Sequence, residues 1–116
     1  MATRWEIVID CNDVERATAF WCAALGYERH GSAGTYRSIM DPGGEQPKII
    51  LQQVSDRKSG KNRVHLDLQA GDIEAEAAHL ESLGATRATP TPLDEHGVDW
   101  IVMRDPEGNE FCICRA

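Results

Sequence analysis

One pattern is written twice along this chain, and that duplication limits the folds open to it. Asp13 opens a helical segment ending in Leu25-Gly26, and Asp72 opens another ending in Leu83-Gly84. The capping aspartates are 59 positions apart and the terminal glycines 58, so the two halves run almost in step. Each half then reaches a turn, Asp41-Pro42-Gly43-Gly44 in one and Asp105-Pro106-Glu107-Gly108 in the other, followed by a final apolar strand. A repeated unit of this size seldom buries its apolar face alone and stacks on its twin. The crevice between two related halves is also a common place for a small-molecule site.

Periodicity gives the elements. Trp5 to Asp10 is rich in β-branched and aromatic residues and reads as a strand. Asn12 or Asp13 caps the first helix, on which Val14, Ala17, Phe20, Trp21, Ala24 and Leu25 recur at helical spacing before Gly26 stops it. The aromatic pair Phe20 and Trp21 reads as core. Strands follow at Tyr27 to His30, Thr35 to Met40 and Lys48 to Val54. The second half repeats the order with strand Val64 to Gln69 and a helix carrying Ile73, Ala77, Leu80 and Leu83. Ala85 to Thr89, Asp99 to Arg104 and Glu110 to Arg115 are its remaining strands, the first broken off by Pro90 and Pro92. The fold class is therefore α+β: two tandem β-α-β-β-β modules forming a cupped, eight-stranded mixed sheet. At 116 residues this is a single domain, with repeat one at about 4–55, a linker at 56–62 and repeat two at about 63–116.

Composition excludes several partners. A formal net charge of −7 opposes a phosphate backbone, so nucleic acid is not expected. The run Arg57 to Arg63 holds four of the twelve basic residues; a solvated linker is its simpler reading and an anion site the other. No apolar run approaches membrane-spanning length, and the N-terminus has no signal-peptide core, so a cytoplasmic protein with no membrane partner is expected. Cys11, Cys22, Cys112 and Cys114 include no Cys-x-x-Cys pair and read as reduced thiols.

Alternation selects the site. With apolar residues turned to the helices, Glu6, Val8 and Asp10 face away from them on the first strand, and His65, Asp67 and Gln69 on the fifth. Phe111 and Ile113 are core, which turns Glu110, Cys112 and Cys114 to the open side. Glu6 and His65 stand 59 positions apart, the same offset as the capping aspartates, so a pseudo-two-fold axis would bring them face to face. A carboxylate meeting an imidazole can hold a divalent metal, act as a general acid/base pair or form a plain salt bridge.

The pattern over the whole chain resembles the vicinal oxygen chelate superfamily, the glyoxalase, bleomycin-resistance and extradiol-dioxygenase group. The residues that carry the resemblance are Asp13 to Ala17, Phe20-Trp21 and Leu25-Gly26-Tyr27 in the first repeat. In the second they are Asn62 to Asp67, Leu83-Gly84-Ala85 and Asp105 to Asn109. The details most resemble small glyoxalase-like domain proteins of actinobacteria. The resemblance implies a divalent metal (zinc, nickel or manganese) held by side chains from the first and last strands of the modules. Carried over position by position, the ligands fall on Glu6, His65 and Cys112, with Gln52 or Gln53 as a fourth. Only His65 has the usual identity. Cys112 puts a soft thiolate where the family has a hard carboxylate, so no tightly bound ion is expected.

The resemblance also implies an enzyme of glyoxalase type, a lyase or isomerase doing carbonyl chemistry on a small polar metabolite. Glu6 and His65 would be catalytic, and Asp10, Asp67, Trp100, Met103 and Cys112 would line the ligand. Trp100 and Met103 lie on opposite faces of their strand, so one lines the cavity and the other is core. The alternative is a metal-free protein that binds or sequesters a small molecule, as in antibiotic resistance, without catalysis. Exposed sheet edges point to a homodimer.

Overall fold

A computed structural model describes all residues, 1–116, and resolves them into two compact units, Met1–Arg57 and Lys58–Ala116. In the first, β1 (Ile7–Cys11) leads into α1 (Val14–Leu25), β2 (Glu28–Ala33), β3 (Tyr36–Met40) and β4 (Ile49–Gln53). Asp13 is the N-cap of α1: its carboxylate accepts from the Arg16 amide at 3.1 Å, taking up one of the amides that a helix start leaves unpaired. Gln53 supplies a second acceptor, its Oε1 receiving the Val14 amide at 3.1 Å. Gly26 ends the helix at φ 71°, a left-handed conformation that disfavours other residues.

The four strands form one sheet in the order β1-β4-β3-β2, with β1 parallel to β4 and the other pairs antiparallel. The apolar stripe of α1 (Val14, Ala17, Phe20, Trp21) is buried with Ile39, Ile49 and Leu51 of the sheet. Phe20 and Trp21 meet edge to face with ring centroids 5.1 Å apart, which makes the pair core.

The second unit repeats the plan with β5 (Asp67–Ala70), α2 (Ile73–Ser82), β6 (Thr86–Arg87), β7 (Leu93–Glu95), β8 (Val98–Arg104) and β9 (Glu110–Arg115). Asp72 caps α2 by accepting the Ala75 amide at 3.0 Å. Ile73, Ala77 and Leu80 of the helix, with Ile101, Met103, Phe111 and Ile113 of the sheet, make its core. The sheet order is β5-β9-β8-β6, with β5 parallel to β9 and β7 pairing the free part of β8.

Two expectations are corrected. The strands hydrogen-bond as separate sheets of four and five, not as one sheet of eight. The ninth strand is β7, beyond the two prolines. His96 and Gly97 both adopt positive φ, 56° and 77°, and this tight turn folds Leu93–Glu95 back onto Val98–Trp100 as a hairpin. In addition β5 starts at Asp67 rather than Val64, so His65 stands just ahead of the ladder.

The turns hold because their aspartates replace missing backbone partners. Asp41 accepts amides from Gly43, Glu45 and Gln46 at 2.9 to 3.1 Å, and these bonds, Gly43's first, hold its carboxyl below the usual range. Asp105, only 4% exposed, accepts the Glu107 and Asn109 amides, each at 2.9 Å. No helix is long and apolar enough to cross a membrane.

Candidate functional site

The register of β5 and β9 builds the site. Asp67 lies directly beside Cys112, and the Cys112 amide donates to the Leu66 carbonyl at 2.9 Å. Because side chains alternate, Phe111 and Ile113 go into the core, and Cys112 takes the side of Asp67. His65 lies on that side too: its Nε2 sits 3.1 Å from Asp67 Oδ1. One ligand atom from each of His65, Asp67 and Cys112 falls within 4.8 Å of the others. His65 and Asp67 are open to solvent, while Cys112 is 8% exposed.

This setting keeps the thiol neutral. Burial first, then the Asp67 carboxylate and Cys114, push the Cys112 pKa up to about 11, with Lys61 opposing. Cys114 is raised as well, by burial and then by Asp67, whose charge and hydrogen bond both favour the thiol. At neutral pH the group therefore combines an imidazole braced by a carboxylate with a protonated thiol. Imidazole, carboxylate and thiol are all accepted by zinc, so the donor set fits that ion better than it fits a hard, oxygen-preferring one.

The other expected residues divide between the two modules. Glu6 is ion-paired with Lys48 at 3.0 Å, and Asp10 is exposed on the side of β1 away from the helix. At the place in the first module that matches Asp67 beside Cys112, the register pairs Val8 with Ile50, so the first copy is apolar there. Gln52 donates to the Tyr36 hydroxyl at 3.1 Å, and Gln53 is committed to α1. Trp100 is half-buried opposite Cys114, on the open face. Met103 is fully buried opposite Phe111 and drops out as a ligand contact, being the core member of the pair.

Glu110 lies on this face, as alternation places it, and Lys58, Asn62 and Arg104, which alternation did not bring out, join it. Lys58 Nζ reaches Glu110 Oε1 at 3.1 Å, and the Asn62 amide donates to Glu110 Oε2 at 3.0 Å. Burial raises the Glu110 carboxyl, but these two partners outweigh it and hold it below its usual range. Arg104, directly opposite Glu110, also belongs to this face. The basic run from Arg57 was the available signal; that it folds onto Glu110 has no signature in spacing.

Known proteins share this architecture. The family model described as a glyoxalase-like domain matches residues 6–114. No curated protein matches the chain. A glyoxalase/bleomycin resistance protein/dioxygenase family enzyme from Burkholderia phytofirmans PsJN superposes with TM-score 0.78 at 19% identity, over 95% of each chain. The fosfomycin resistance protein FosX from Listeria monocytogenes gives TM-score 0.79 at 14% identity, over 100% of this chain and 94% of its own. A mutant of that protein, complexed with Mn(II) and 1S,2S-dihydroxypropylphosphonic acid, gives 0.76 at 16% identity, over 97% and 89%. At such identities the structures speak for the fold, and the family model speaks for descent: this chain belongs to the glyoxalase-like domain family.

Proposed function

We propose that this protein binds a small polar metabolite on the open face of its second module and moves a proton next to the metabolite's carbonyl, as an isomerase or lyase does. The observation that carries the reading is the 3.1 Å contact of His65 Nε2 with Asp67 Oδ1 beside the Cys112 thiol. With Nε2 facing the carboxylate at 3.1 Å, the proton of the neutral ring belongs on Nε2, and Nδ1 is the nitrogen that can accept a proton. Asp67 fixes the ring and stabilises the imidazolium once the proton has arrived. Cys112, held as a thiol, donates a hydrogen bond to a developing oxyanion rather than attacking as a nucleophile. In an isomerisation of an α-hydroxy carbonyl, His65 takes the C–H proton beside the carbonyl and returns it to the old carbonyl carbon, while the hydroxyl proton passes to the old carbonyl oxygen, so no other reactant is consumed.

Members of the wider superfamily use a divalent ion, and here His65, Asp67 and Cys112 would hold it; when bound, such an ion polarises a substrate carbonyl as a Lewis acid. We propose that none is held tightly at rest, because Cys112 must first surrender a firmly held proton.

The test is hydrogen exchange. Hydroxyacetone and glycolaldehyde incubated in D2O with the protein should lose the proton signal beside the carbonyl, followed by NMR. His65→Ala should reduce the rate by about a hundredfold or more, the usual contribution of a general base. Exchange no faster than the buffer blank for either compound would sink the catalytic reading. Saturable binding without exchange would instead favour metal-free sequestration, the reading that the protonated thiol supports.

A further inference from the structure

The chain is acidic overall, yet one wall of the second module is cationic. A cavity of about 650 Å³ is lined by Lys58, Lys61, Val102, Arg104, Glu107 and Glu110, among others. Val102 stands directly opposite Cys112, and Arg104 opposite Glu110, on the same pair of strands. The cavity thus adjoins the His65 group along the open face. Its Arg104 end is displaced by two residues of β9, or about 7 Å.

The charges in this wall have different duties. Glu110 is committed to Lys58 and the Asn62 amide, and its side chain is only 15% exposed. That anchor fixes the basic loop against the sheet. Lys61 and Arg104 remain, both solvent-accessible and neither engaged in an ion pair, against the single carboxylate of Glu107. Basic residues in a solvated linker point apart; here an anchored loop and a strand converge two cations on one cavity.

We propose that Lys61 and Arg104 hold an anionic group of the metabolite, a carboxylate or a phosphate ester, so that its carbonyl carbon reaches His65. The guanidinium supplies a planar fork for two oxygens and the ammonium a movable point charge, a pair suited to such anions. This assignment of substrate class rests on the proposed proton-transfer site, but the anion subsite can be tested apart from it.

The experiment is an amide-resolved NMR titration of the full chain with inorganic phosphate, hydroxyacetone and hydroxyacetone phosphate. Phosphate should perturb amides in 58–62 and 102–110, and hydroxyacetone phosphate should bind at least about tenfold more tightly than hydroxyacetone. Arg104→Ala with Lys61→Ala should erase that difference while leaving the weak hydroxyacetone shifts near His65. His65→Ala should retain the phosphate shifts. Phosphate shifts scattered over the surface, or an unchanged preference in the double variant, would overturn the subsite. If phosphate binds as described but no ligand exchanges its proton, the subsite stands and the catalytic reading falls.

Discussion

Asp67 and Cys112 are register partners on adjacent parallel strands, and that adjacency sets the chemistry of the open face. Burial first, and then the neighbouring carboxylate, oppose ionisation of the sulfur, so the least exposed member of the group is also the one least ready to act as a nucleophile.

Alkylation should report this directly. The rate of Cys112 modification by iodoacetamide, followed by peptide mass spectrometry, should rise with a midpoint near the pKa of about 11. Asp67→Asn should lower the midpoint only in part, because burial is the larger cause. A midpoint at or below 9.0, the ordinary value, would contradict the arrangement.

Stability should respond to alkali with a definite sign. The folded thiol holds its proton up to about 11 against 9.0 for a free one, so between these values the folded state binds more protons than the unfolded state. Stability contributed by Cys112 is therefore complete below pH 9.0 and is lost as pH climbs towards 11. Urea midpoints measured across this window should fall less steeply in Cys112→Ala than in the parent.

Metal affinity should show the same cost. At neutral pH a thiol with a pKa near 11 binds zinc about a hundredfold more weakly than one near 9.0, other terms equal. Elemental analysis after dialysis should find well under one ion per chain. Zinc added back should bind with proton release, and Asp67→Asn should weaken it. Stoichiometric metal surviving dialysis would show the thiolate to be far more accessible than its surroundings indicate.

The two capping aspartates should be of similar worth. Asp13→Ala and Asp72→Ala each remove one acceptor from a helix start and should each cost about 1 kcal/mol in urea unfolding. Asp105→Ala should cost more, about 2 kcal/mol or above, because it strands two amides in a turn whose aspartate is 4% exposed.

The sequence by itself determined the repeat, both helices with their caps and the side of each strand that meets its helix. These follow from nearest-neighbour chemistry: a carboxylate three residues before an unpaired amide, a glycine able to take positive φ, and apolar residues at periods of 3.6 and 2. Alternation also turned Glu6, His65, Asp67 and Cys112 away from the helices, but it did not say that Asp67, rather than Glu6, stands with His65 and Cys112. Tertiary structure decided what alternation leaves open. Strand register placed Cys112 beside Asp67, buried Met103 while leaving Trp100 on the open face, and matched Val8 with Ile50 in the other module. A positive-φ turn at His96 and Gly97 added a ninth strand after a proline break, and the fold closed Lys58 onto Glu110 across 52 positions. Contacts of that kind depend on distances fixed only when the whole module closes, and local spacing carries no record of them.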